Sequence, residues 1–95
     1  MKYTVKKIDC KNNTNIIHAG SYIITVPLEL KTSKGKKINI DVYEEERELP
    51  KSELQLYGQV FRTNQTGCIM SAGGYLCHIP HNYSLDTFLY VTVTT

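Results

Sequence analysis

Gly67-Cys-Ile-Met-Ser-Ala-Gly-Gly-Tyr-Leu-Cys-His-Ile-Pro80, followed by Phe88-Leu-Tyr-Val-Thr-Val-Thr94, carries the strongest β signal in the chain. Two hydrophobic runs flank Ser71-Ala-Gly-Gly74, whose glycines supply the positive φ angles of a tight hairpin. The closing run is rich in β-branched and aromatic residues, which suit a strand better than a helix. Strands are therefore predicted over 68–70, 75–79 and 88–94. From Thr63 to Thr95, Asp86 is the only Asp, Glu, Lys or Arg, although the whole chain is 21% charged. A strand with no charge on its wet face is either buried on both faces or pressed against another molecule.

Upstream, the same alternation recurs. Residues 2–8 and 16–19 read as strands, with the Asp9-Cys-Lys-Asn-Asn-Thr-Asn15 segment as the turn between them. Residues 21–31 read as a strand interrupted by Pro27, which lacks the ladder donor. Ile38, Ile40 and Val42 alternate with Asn39, Asp41 and Tyr43. With Leu28 and Leu30 across the Thr32-Ser-Lys-Gly-Lys36 turn, they predict a hairpin with one face on the core. Residues 52–62 fit both periods: Leu54, Tyr57, Gly58 and Phe61 are helical in spacing, while Leu54, Leu56, Gly58 and Val60 alternate. The turn chemistry of Asn64–Gly67 favours the strand, and one short helix within 47–62 is the alternative. The expected fold is all-β and mainly antiparallel, a small sandwich or barrel of 6–8 short strands in a single domain over 1–95. No internal repeat is visible in the sequence.

The net charge of +2 conceals a polarity. Residues 1–37 carry eight Lys against Asp9 and Glu29. Residues 38–53 carry six acids, Glu44, Glu45 and Glu46 among them, against Arg47 and Lys51. Seven Tyr and no Trp give the chain an amphipathic aromatic content suited to interfaces. The opening Met-Lys-Tyr-Thr-Val-Lys-Lys is too polar for a signal peptide, and no run approaches the about 18 apolar residues of a membrane helix. A cytoplasmic protein that does not engage the membrane is expected. Three cysteines, Cys10, Cys68 and Cys77, cannot form a complete disulfide framework and read as reduced thiols.

Cys68, Cys77, His78 and His81 form the only cluster with metal-ligand chemistry. On a strand, Cys77 and His78 point to opposite faces, and a fourth ligand is not in view. A Cys–His nucleophile would need an activated thiolate with a base in reach, and no spacing brings His18, His78 or His81 to a cysteine. Ser71-Ala-Gly-Gly lacks the lysine and following helix of a phosphate loop. The expectation is no enzyme, no metal and no cofactor.

Gly74-Tyr-Leu-Cys-His-Ile-Pro80, then Val91-Thr-Val93, resembles the glycine, aliphatic-proline and closing β pattern of AbrB-like swapped-hairpin DNA-binding proteins. The resemblance covers about 20 residues and implies DNA binding. The basic residue that usually follows that proline is His81 here, and the surrounding arginines are missing.

The leading expectation is a non-enzymatic protein-binding module, with Tyr75, Tyr83 and Tyr90 as anchors and Glu44, Glu45 and Glu46 as a charged contact. Its small size fits the inhibitors of host defence machinery that phages and mobile elements encode, and homo-oligomerisation is a second use for the same surface. The alternative is a nucleic-acid binder using the lysine-rich residues 2–37, above all Lys34, Lys36 and Lys37. A third reading is a protein that sequesters a small ligand between tyrosine rings and the amides of residues 71–74.

Overall fold

A computed structural model describes residues 1–45 and 54–95. Among them the chain forms eight strands and no helix: β1 (Lys2–Lys11), β2 (Thr14–Ala19), β3 (Tyr22–Pro27), β4 (Lys37–Tyr43), β5 (Leu54–Asn64), β6 (Gly67–Ala72), β7 (Tyr75–Ile79) and β8 (Phe88–Thr94). The strands close into one antiparallel barrel in the order β1-β2-β3-β7-β6-β5-β8-β4. Period-two alternation fills its interior, so that Ile17, Ile24, Ile40, Met70, Leu89 and Val91 are all buried.

The predicted Gly73–Gly74 hairpin forms, with φ of 59° and 95°, and pairs Met70 with Cys77. Residues 54–62 are strand rather than helix. The remainder of the 47–62 helix alternative, and Glu46, lie outside the described residues. The first hairpin is tighter than expected: β1 runs on to Lys11, and only Asn12 and Asn13 turn, both at positive φ.

The hairpin predicted between residues 28–30 and 38–42 does not form. β4 pairs with β1 and β8, whereas β3 pairs with β2 and β7. Alternation fixed the buried face of residues 38–42, since Ile38 and Ile40 are buried. It carried no information about the partner. Pro27 ends β3, and residues 28–36 cross the barrel end to deliver β4 beside β1. β6 and β7 are each paired on both sides within the chain.

The barrel is two Greek keys. β1, β2 and β3 form a meander, and β4 returns to lie beside β1; β5, β6 and β7 do the same, and β8 returns beside β5. The match extends to single bonds. In the first key the Val5 N–H donates to the Lys36 carbonyl at 2.8 Å, and the Gly35 N–H donates to the Val5 carbonyl at 2.8 Å. In the second, the Val60 N–H donates to the Thr87 carbonyl at 2.9 Å, and the Asp86 N–H donates to the Val60 carbonyl at 2.8 Å. Each first strand then carries a bulge at the next residue, Lys6 in β1 and Phe61 in β5. Asp41 and Thr92, opposite each other on the β4–β8 seam, occupy the same place in their respective keys.

Candidate docking surface

Cross-strand partners share a face, so the register places Tyr43, Tyr90 and Tyr57 in one row across β4, β8 and β5. The Tyr57 and Tyr90 rings lie 4.5 Å apart at 35°, and Tyr57 stacks on Phe88 at 5.4 Å and 16°. Alternation turns Leu89 and Val91 inward and leaves Phe88 and Tyr90 on the outer wall. Phe61, which follows inward-facing Val60, is turned outward as well. The backbone bonds from Val60 to residues 86 and 87 hold the 80–87 loop against the same strand, which brings Leu85 to the edge of this group. Tyr57 (52%), Phe61 (51%), Leu85 (56%) and Phe88 (47%) are all exposed. Grouped exposed apolar residues make a candidate contact surface, whereas single ones need no explanation.

Its rim is acidic. Glu44 and Glu45 follow Tyr43 directly and are exposed, and exposed Asp86 lies in the loop beside Leu85. The Gln59 side-chain amide donates to the Asp86 carbonyl at 3.4 Å. Arg62, next to Phe61, is exposed and basic.

Of the expected anchors, only Tyr90 belongs to the cluster. Tyr75 shares the inward side of β7 with Cys77 and Ile79 and packs on the core. Tyr83 also packs on the core from the 80–87 loop. Burial, then the Glu44 and Cys68 charges, push its hydroxyl above the ordinary tyrosine value. Tyr57 and Phe61 were missed because residues 52–62 fitted two periods. The usable signal was a Tyr and a Phe at positions that a strand turns outward.

The other sequence candidates lie apart. Lys34, Lys36 and Lys37 are exposed at the opposite end of the barrel, where Lys31, Thr32, Ser33, Lys36, Lys37 and Thr95 line a cleft of about 360 Å³. Gly73, Gly74 and Tyr75 border a second cleft of about 440 Å³ with Asn12, Thr25 and Leu76. A third cleft of about 550 Å³ runs past Ile23, Ile69 and His78 on the outer wall. Cys77 is inside the barrel and His78 is on its outside, as alternation requires. Burial pushes the Cys77 thiol up to about 12, and burial raises Cys68 too, against an opposing hydrogen bond with the Tyr83 backbone. Both thiols are therefore protonated at neutral pH and are poor nucleophiles. Among the described residues no three His, Cys, Asp or Glu side chains are grouped to hold a metal, and no helix is long and apolar enough to cross a membrane.

The chain matches no protein-family model and no curated protein sequence.

Proposed function

We propose that this chain is a non-enzymatic protein-binding module that docks through Tyr57, Phe61, Leu85, Phe88 and Tyr90. One observation carries the reading: Tyr57 of β5 stacks on Phe88 of β8 beside Tyr90, and Tyr57 and Phe88 stay exposed, as do Phe61 on the same strand and Leu85 in the loop bonded to it. The core is complete without them. Aromatic residues concentrate at interface centres, where they supply most of the binding energy. The acidic rim of Glu44, Glu45 and Asp86 calls for a partner with a basic margin around an apolar hollow. A second copy of the chain fits less well, since a two-fold contact through this surface would bring acid against acid. An inhibitor of a host defence protein would act in this way, by occupying a surface rather than by chemistry.

The test is cross-linking in lysate of the expression host, comparing the wild type with Phe88→Glu and with Leu76→Glu, an exposed apolar residue outside the cluster. The expected result is an adduct lost in Phe88→Glu and retained in Leu76→Glu. An adduct that survives Phe88→Glu would overturn the proposal. A native dimer that Phe88→Glu dissociates would assign the surface to self-association instead.

A further inference from the structure

We infer that the lysine end of the barrel is a second binding surface, which holds the phosphate backbone of duplex nucleic acid without reading its sequence. The inference is independent of the docking surface and begins from the match between the two Greek keys. The register makes Lys2 the counterpart of Tyr57, since Lys2 faces Asn39 as Tyr57 faces Tyr90. By the same reasoning Lys6 corresponds to Phe61, Lys34 to Leu85 and Lys37 to Phe88. Four positions that are aromatic or aliphatic at one end are lysine at the other. The scaffold therefore does not require lysine there.

One structural role for surface lysines is also absent. Lysines blunt the open edge strands of sheets, and a closed barrel has no open edge to guard. Five ammonium groups, from Lys2, Lys6, Lys34, Lys36 and Lys37, are exposed. None of them forms an ion pair with a described residue: Asp9 pairs with Lys7 and His18, and Asp41 pairs with the Met1 amine. The nearest acid in the 28–36 crossing is exposed Glu29, against Lys31, Lys34 and Lys36 in the same loop. The bonds between Val5 and residues 35 and 36 draw these lysines to one place, beside the Lys6 bulge. Thr32 and Ser33 line the adjoining cleft with Lys31, Lys36, Lys37 and Thr95, and hydroxyls and ammonium groups are the usual phosphate contacts.

The chemistry selects the ligand class. Apart from Met1, no exposed large apolar residue of the described chain stands among these lysines. A protein interface would want an apolar centre, and single-stranded nucleic acid would want exposed aromatic rings for its bases. Arginine, the commoner base-reading residue, is not in this cluster. Point charges on flexible stems suit a duplex backbone.

Fluorescence anisotropy with a labelled 20-bp duplex tests this, with a single strand of the same sequence and polyglutamate as comparisons. Binding to the duplex is expected at 50 mM salt, equal for two unrelated sequences. With four phosphates neutralised, affinity should fall roughly 100-fold by 200 mM. The Lys34→Glu, Lys36→Glu, Lys37→Glu triple variant should lose this binding, while Phe88→Glu keeps it. The corresponding triple change to Gln, which adds no acid, should reduce the salt slope by about three. Unchanged circular dichroism in both triple variants establishes that they are folded. No duplex binding at 50 mM, binding that survives the Glu variant, a preference between the two sequences, or equal binding to the single strand or polyglutamate would each overturn the inference.

Discussion

Lys37 and Phe88 occupy one position in two copies. Each opens the fourth strand of its Greek key, Lys37 opposite Thr4 and Phe88 opposite Gln59. One presents an ammonium group to solvent and the other a ring stacked on Tyr57. Immediately behind them the two keys agree again, with Ile38 and Leu89 both buried. The inside of the barrel sets packing demands that both halves meet with aliphatic residues. The outside sets none, and there the halves have taken opposite chemistries.

Gly58 should tolerate no side chain. A Cβ there would run into the Ser71 carbonyl and sit 2.8 Å from the Ala72 Cα. Both are backbone, so β5 and β6 would have to separate. Overpacking at such a site costs about 2–3 kcal/mol, which for a domain of this size lowers Tm by roughly 10–20 °C. Thermal denaturation of Gly58→Ala checks this, and a Tm within 2 °C of wild type would contradict the close approach of the two strands.

Asp86 sits at φ 68°, where its counterpart in the first key is Gly35 at φ 90°. Asp reaches this left-handed conformation more readily than most residues, and glycine reaches it without penalty. Asp86→Gly should therefore stay within about 0.5 kcal/mol of wild type, whereas Asp86→Ala should lose about 1 kcal/mol. Urea unfolding of the pair separates the two. Equal losses in both variants would show that the Asp86 side chain, rather than its backbone, is what matters.

Alkaline pH should destabilise the fold. Burial raises the Cys77 thiol from 9 to about 12, and burial also leads the causes that raise Tyr22, Cys68 and Tyr83. Between those limits the unfolded chain has released the Cys77 proton and the folded chain still holds it. Stability is then complete below about pH 9 and falls as pH rises towards 12. Tm should be level from pH 6 to 8 and decline above 9, with a shallower decline in Cys77→Ala. In the native protein at pH 8, exposed Cys10 should react rapidly with a thiol reagent, while buried Cys68 and Cys77 react only on unfolding.

Local chemistry was readable in the sequence, and distant pairing was not. The Gly73–Gly74 turn, β8, and the opposed directions of Cys77 and His78 all follow from turn residues and period-two alternation. The partner of residues 38–42 does not, because alternation reports a face and never a neighbour. Tyr90 lies on the outer wall beside Tyr57, while Tyr75 and Tyr83 pack on the core, a difference their identities do not reveal. The repeat escaped because its halves differ wherever they meet water. It also drifts in register: Val5 matches Val60, whereas Gly35 matches Asp86, so no single offset aligns the two copies.

The barrel's two seams have a consequence for how the chain reaches its shape. Asn39 pairs with Thr94 and Ile23 with His78, each bond joining residues some 55 positions apart in the chain. Neither half can seal its own margins, so β3 and β4 leave the ribosome as bare edges that wait for β7 and β8. Contacts at such long separation make for slow, millisecond-to-second assembly. During that interval the unfinished half is open to pairing with the wrong strand, including one from a neighbouring nascent chain.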